Sequence, residues 1–179
     1  MKSLKMSIAA LSVLALLAGA GVAGEPMHVV KTRPNAGFEK MKPLVGNWQG
    51  KSDDGKPVKI SYALASNGSV LVEKIDSGSE SEMVTVYYPD GDRLMMTHYC
   101  SLHNQPRMRT DAATATAESR KLIFDFVDAT NMSSPDAMHM HRLAVTFEDK
   151  DRFVQEWTWK SGEKEGTVVF RLERMKGDP

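Results

Sequence analysis

Apolar and polar residues alternate along most of the chain beyond residue 46. Leu122, Phe124 and Phe126, for example, fall on one face of an extended segment. Successive side chains of a β-strand point to opposite faces, so each alternating run predicts a strand with one buried side. Turn residues interrupt these runs at intervals of about ten residues. The predicted strands are residues 46–52, 57–65, 69–76, 82–88, 93–100, 107–116, 121–128, 138–148, 152–160 and 166–174.

A helical period precedes the strands. Phe38, Met41 and Leu44 recur at spacings of three and four. This spacing predicts one or two helical turns that end before Gly46. Pro43 limits how far a regular helix can extend through the segment.

The succession of short strands predicts the fold class. Asn67-Gly68 is the best hairpin signal, because both residues tolerate the positive φ of a type I′ turn. Consecutive strands joined by short turns indicate an antiparallel meander, and closure removes the exposed edges of so long a sheet. We therefore predict an all-β protein, an antiparallel up-and-down barrel of about ten strands with a short N-terminal helix. A two-sheet β-sandwich is the alternative.

The N-terminal segment has the three parts of an export signal. Lys2 and Lys5 give a positive start, an apolar run covers residues 8–18, and small residues continue to Ala23. The run is shorter than the roughly 20 residues of a membrane span, so no stable membrane anchor is predicted. Cleavage after Ala20 or Ala23 fits the pattern. We expect a periplasmic or secreted protein with a signal peptide at 1–23, a flexible leader at 24–36 and a barrel domain at 37–177.

Charge and cysteine content narrow the possible partners. The chain has 23 basic and 23 acidic residues and no basic run, so no nucleic-acid partner is predicted. Cys100 is the only cysteine, so an internal disulfide is impossible. A lone cysteine is most simply a small buried hydrophobe, with a reactive thiol as the alternative. The sequence leaves the oligomeric state open.

Residues at the two ends of the predicted barrel resemble a known family. Gly46-Asn47-Trp48 opens the first strand, and Arg171 lies in the last strand with Arg174 nearby. This arrangement resembles the calycin superfamily of lipocalin-like barrels, in which a Gly-x-Trp motif starts strand one. The resemblance implies that Trp48 closes one end of the barrel. It also implies that Arg171, or else Arg174, packs across the indole ring in a structural role.

Two narrower resemblances concern ligands. The chain is similar to bacterial lipocalin-like proteins of the domain-of-unknown-function 1579 type. It also resembles the ten-stranded nitrobindin-like barrels, which implies a haem cofactor. Those barrels ligate haem through a histidine near the C-terminal end, whereas no histidine follows His141 in this chain. The sequence therefore predicts no cofactor, and haem is the less favoured alternative.

One polar segment leaves the fifth predicted strand, turns and enters the sixth. His98 and Cys100 share a strand face by the period of two. Asn104, Gln105 and Arg107 offer amide and guanidinium donors at a barrel rim, where ligands usually enter. The alternative is that Asn104 and Gln105 only cap the turn by bonding to its own backbone, with His98 a polar core residue.

A second polar cluster lies on the eighth predicted strand. His139 and His141 are in phase with Leu143 and Val145, so an inward face would direct both imidazoles into the barrel. Together with His98 they would suffice for a three-histidine metal site. The alternative is a polar lining or an exposed strand end.

These observations lead to one functional hypothesis and two rivals. We expect a barrel that binds a small, mainly apolar molecule in its interior. The rivals are a metal-dependent enzyme that uses His98, His139 and His141, and a structural barrel without a ligand. No catalytic fingerprint, such as a nucleophile elbow or a phosphate loop, is present. The candidate ligand-binding residues are His98, Cys100, Asn104, Gln105, Arg107, His139 and His141.

Overall fold

A computed structural model of the chain describes residues 34–78 and 82–177. The predicted signal peptide and most of the predicted leader lie outside the described residues. Within these ranges, ten strands form a closed antiparallel barrel, and their order around the barrel follows the chain. The predicted all-β, up-and-down barrel is therefore confirmed. The strands are β1 Gly46–Ser52, β2 Pro57–Ala65, β3 Val70–Asp76, β4 Met83–Asp90, β5 Arg93–Tyr99, β6 Gln105–Thr110, β7 Lys121–Thr130, β8 His139–Phe147, β9 Arg152–Ser161 and β10 Lys164–Arg174.

The first and last strands close the barrel. β1 pairs with β10 over a register that sets Trp48 opposite Arg174 and Gly50 opposite Leu172. A Cβ atom on Gly50 would lie 1.9 Å from the carbonyl oxygen of Arg171. β1 and β10 can therefore approach this closely only because residue 50 is glycine.

The predicted helical turns cover one end of the barrel. Helix α1 spans Ala36–Met41 and continues as a 3₁₀ turn over Lys42–Leu44. The Asn35 side chain accepts a hydrogen bond from the Phe38 amide at 2.8 Å, which caps the helix. The same side chain donates to the carbonyl oxygen of Arg93 at 2.8 Å and so ties the helix to the β4–β5 turn. No helix within the described ranges is long and apolar enough to cross a membrane.

Trp48 fills this covered end. Its side chain is 1 % exposed, and its indole Nε1 donates to the carbonyl oxygen of Leu44 at 2.7 Å. The guanidinium of Arg174 lies 4.2 Å from the centre of the indole ring. That guanidinium also donates to the carbonyl oxygens of Pro43 and Val45, so it fastens the helical turn over the barrel end.

The structure corrects the choice of arginine. Phe170 and Leu172 are buried, so the period of two directs Arg171 outwards, where it is exposed. Arg174 has the parity of the inward residues and lies opposite Trp48. The prediction that Arg171 covers the tryptophan is therefore wrong, and Arg174 occupies that position.

We expect Arg174→Ala to lower the free energy of unfolding by about 1–2 kcal/mol, because it removes the stacked guanidinium and its hydrogen bonds to two carbonyls. Arg171→Ala, three residues away on the same strand, is the matched control and should change stability by less than about 0.5 kcal/mol. Urea unfolding of both variants measures the difference. A larger loss for Arg171→Ala would contradict this assignment.

Two local predictions fail for identifiable reasons. The sixth strand was expected over 107–116, but β6 ends at Thr110. The Asp111 side chain accepts from the Ala113 amide and turns the chain, which lets buried Ala115 pack near Gly37 of α1. At Asn67-Gly68 the hairpin forms, but Ala65 pairs with Val70. The loop therefore has four residues, not the two of a type I′ turn.

Candidate functional site

A cavity of about 450 Å³ lies at the barrel end opposite Trp48. Its wall is mainly apolar and includes residues of seven strands. Two large apolar residues stand at its rim, Leu102 at 47 % exposed and Met138 at 41 %. Exposed apolar side chains beside an apolar cavity mark a surface on which an apolar molecule can bind. The main wall residues are Ile75, Met83, Met140, Trp157, Val168 and Phe170.

The cavity has one buried polar group whose hydrogen bonding is incomplete. His98, on β5, lines the cavity and is 1 % exposed. Its Nδ1 lies 2.9 Å from the hydroxyl oxygen of Thr85, and its ring packs 4.7 Å from the indole of Trp157. The other nitrogen, Nε2, has no hydrogen-bond partner among the described residues. Because Nδ1 contacts Thr85, Nε2 is the imidazole nitrogen that remains for a hydrogen bond to a ligand.

Below His98 lies a buried polar network centred on Glu73 of β3. The carboxylate accepts hydrogen bonds from the hydroxyls of Tyr62, at 2.5 Å, and Tyr87, at 2.9 Å. It also accepts from Nε2 of Gln155, whose Oε1 in turn accepts from the indole of Trp157 at 3.0 Å. Each member is buried, and the network therefore satisfies polar groups that would otherwise be costly in the barrel interior.

The electrostatic environment of this network keeps its two tyrosine hydroxyls protonated. Burial raises the pKa of Glu73, and hydrogen bonds from Tyr62, Gln155, Tyr87 and Thr85 offset part of that rise. Burial, followed by the nearby charge of Glu73, raises the pKa of Tyr62 and of Tyr87 well above their usual value. Both phenols therefore remain protonated donors at neutral pH.

Thr85 joins this network to His98. It is buried on β4, directly across the strand pair from Glu73 and from His98. Its hydroxyl oxygen lies 2.9 Å from His98 Nδ1, and a hydrogen bond from the same hydroxyl is the smallest of the influences that lower the pKa of Glu73. Burial lowers the pKa of His98 to about 4, so its ring is neutral at pH 7.

Cys100 shares the cavity with His98, as the period of two predicted. Its thiol is free, and the residue is 9 % exposed. Since the chain contains one cysteine, a thiol reagent that enters the cavity would label a single known position.

The other residues of the predicted rim segment lie elsewhere. Asn104 is buried and donates to the carbonyl oxygen of Met138 at 2.8 Å, which fastens the β5–β6 turn to the start of β8. Gln105 donates to the carbonyl oxygen of His103 within its own turn, as the alternative interpretation proposed. Arg107 is exposed on the outer face, where it forms a bidentate ion pair with Asp128. None of the three lines the cavity.

A register shift moves the second histidine cluster away from the cavity. β8 has an irregularity between Met140 and Arg142, which reverses the alternation of the residues that precede Arg142. Met140 consequently lines the cavity, whereas His139 lies opposite exposed Lys160 on β9. The expectation that His139 and His141 face the barrel interior in phase with Leu143 is therefore wrong.

His139 and His141 form a separate cleft with Phe126. Their Nε2 and Nδ1 atoms are 3.2 Å apart, and both rings pack against the phenyl ring at 4.9 and 4.7 Å. Burial, followed by the nearby positive groups of His139 and Lys160, lowers the pKa of His141. In residues 34–78 and 82–177, no three His, Cys, Asp or Glu side chains come close enough to hold one metal ion. The three-histidine site with His98 does not assemble.

A further depression, of about 580 Å³, lies on the outside of the barrel and is lined partly by the exposed charged residues Lys51, Lys59 and Arg171. It has no unpaired buried polar side-chain atom, since the two in the described part of the chain belong to His98 and Asn104. The barrel cavity with His98 is therefore the candidate site.

Two groups of the network beneath His98 are not among the residues predicted from the sequence. Glu73 lies between buried Leu71 and Ile75 on β3, and Gln155 lies between buried Phe153 and Trp157 on β9. A polar residue at an inward position of a strand needs a buried hydrogen-bond partner. The alternation of inward and outward positions could therefore have indicated this network by itself.

Comparisons with known proteins give the chain no family. No protein-family model matches it, and no curated protein matches it significantly. The functional argument therefore depends on the barrel and its cavity.

Proposed function

We propose that this protein is an exported, lipocalin-like binding barrel of the calycin type that holds a small, mainly apolar molecule in its cavity. The observation that carries the proposal is the unpartnered Nε2 of His98, a buried residue that lines a cavity with mainly apolar walls. An unsatisfied buried nitrogen costs about 1–3 kcal/mol, and a ligand that bonds to it recovers that cost.

The shape and chemistry of the cavity support this function. A volume of about 450 Å³ lies within the range of roughly 300–1,000 Å³ that small-molecule sites occupy. Apolar walls with few, well-placed polar groups are typical of such sites. Met83, Met138 and Met140 add flexible thioethers that adapt to irregular apolar shapes. His98 supplies the polar group that would orient the ligand.

A cavity-filling variant tests the proposal. Val168 lines the cavity opposite Trp157, whereas the next residue, Val169, lies opposite Glu156 on the outer face. We expect the apolar dye N-phenyl-1-naphthylamine to bind the wild-type protein and the control Val169→Trp saturably. Val168→Trp fills the site and should weaken binding by about tenfold or more.

A second readout covers the case in which Val168→Trp does not fold. Alkylation of Cys100 in the wild-type protein should be slowed by the dye, and the alkylated protein should no longer bind it. Native mass spectrometry of protein purified from its own compartment should also show a bound small molecule. Dye binding that is unaffected both by Val168→Trp and by alkylation of Cys100 would contradict the proposal.

A further inference from the structure

We propose that the cavity selects apolar molecules that carry a hydroxyl or another hydrogen-bond donor, because the Glu73–Thr85–His98 chain fixes His98 Nε2 as a hydrogen-bond acceptor. This inference rests on the proposed function and adds the polarity of the ligand group that the site recognises.

The direction of the hydrogen bonds is set at Glu73. The amide nitrogen Nε2 of Gln155 can only donate hydrogen bonds. It donates to the Glu73 carboxylate and, at 2.8 Å, to the hydroxyl oxygen of Tyr62. Tyr62 therefore directs its own proton towards Glu73. Tyr87 donates to the second carboxylate oxygen at 2.9 Å. Every neighbour of this buried carboxylate donates to it, so Glu73 acts as the acceptor at the end of the chain.

Thr85 transmits this direction to His98. A hydroxyl has one proton, and of the two polar groups that Thr85 faces across its neighbouring strands only the Glu73 carboxylate cannot donate, so the Thr85 proton is assigned to Glu73. Its oxygen can then only accept in the contact with His98 Nδ1, 2.9 Å away. His98 consequently carries its proton on Nδ1. In a neutral imidazole the second nitrogen, Nε2, is then a lone-pair acceptor.

Among the described residues, His98 Nε2 is the only buried side-chain polar atom of the cavity lining without a hydrogen-bond partner. Asp54 and Lys56 at the rim form an ion pair with each other at 2.7 Å. The other unpaired buried polar atom in the described part of the chain, Oδ1 of Asn104, does not line the cavity. A ligand hydroxyl can therefore satisfy His98 Nε2, whereas an ether or ketone oxygen would place a second lone pair against it. One hydrogen bond of this kind corresponds to about tenfold in affinity.

A matched pair of ligands tests the inference. β-Naphthol and its methyl ether share the same ring system, and only the phenol can donate. The wild-type protein should bind β-naphthol at least about tenfold more tightly than the ether. Thr85→Val keeps the side-chain shape but frees the imidazole to place its proton on either nitrogen, so the preference should fall to within about twofold. Thr158→Val, which removes an outer-face hydroxyl, should keep the wild-type preference.

The outcomes separate the two proposals. Equal binding of both ligands to the wild-type protein would overturn this inference while the proposed function stands. Failure of both ligands to bind would overturn the proposed function and this inference with it. If Thr85→Val does not fold, long-range proton–nitrogen NMR of the wild-type protein decides the point. A proton on Nδ1 of His98 supports the inference, and a proton on Nε2 overturns it.

Discussion

Glu73→Ala is expected to lower the free energy of unfolding by about 4 kcal/mol, because it removes the common acceptor of the buried network. The hydroxyls of Tyr62, Tyr87 and Thr85 and the amide of Gln155 lose their partner at the same time. Burial raises the pKa of Glu73, so removal of the carboxylate also relieves some desolvation cost. Each unsatisfied buried donor costs about 1–3 kcal/mol, and the loss of several such bonds exceeds this relief.

Two further variants make this test specific. Glu73→Gln keeps the volume and one acceptor oxygen, so it should cost less than Glu73→Ala. Glu82→Ala removes an exposed carboxylate whose ion pair with Lys74 lies at the surface, and we expect a loss below about 1 kcal/mol. Urea unfolding at pH 7 measures all three variants. A loss for Glu73→Ala as small as that for Glu82→Ala would show that the network does not stabilise the barrel.

The second large effect is acid destabilisation through His98. Burial lowers its pKa from 6.5 to about 4, so the folded protein favours the neutral ring. The resulting stability is fully present above pH 6.5 and is lost as the pH falls through about 4. The two side chains shown in contact with the ring, Thr85 and Trp157, carry no charge that could stabilise an imidazolium. The loss attributable to His98 is roughly 3 kcal/mol.

A variant pair isolates this contribution from the titration of surface carboxylates. His98→Gln removes the buried imidazole, whereas His103→Asn removes an exposed one. Between pH 7 and pH 4, we expect the free energy of unfolding of His98→Gln to fall by roughly 3 kcal/mol less than that of the wild-type protein. His103→Asn should follow the wild type. Identical pH dependence of all three proteins would contradict the assignment.

The alternation of apolar and polar residues predicted the barrel, because a strand that is buried on one face has apolar side chains at every second position. Apart from β6, the predicted strand ends agree with the observed ends within two residues. The arginine at the closed end could also be assigned from parity, since inward Phe170 and Leu172 place Arg174, not Arg171, beside Trp48. These features depend on local alternation, which is why the sequence alone could reveal them.

The site was harder to predict because irregular pairing interrupts the alternation. The shift between Met140 and Arg142 on β8 exchanges the faces of Met140 and His141, and no turn residue marks it. Arg107, in contrast, lies outside by the regular alternation of β6, in which Pro106, Met108 and Thr110 are buried. Long-range partners such as Glu73 and Gln155, which are 82 positions apart, meet only when the barrel closes. The sequence predicts both His98 and Cys100 at the cavity because His98 lies in the regular part of β5 and Cys100 directly follows this strand.

The nitrogen NMR signals of His98 during a titration with β-naphthol test the central claim most directly. The account predicts that free Nε2 appears as an unprotonated nitrogen at pH 7. It also predicts that the Nε2 signal shifts saturably with bound β-naphthol while Nδ1 keeps its proton. The matched signals of His103 should not move. Saturable binding of β-naphthol with no change at His98 Nε2, or the absence of any binding, would contradict the account.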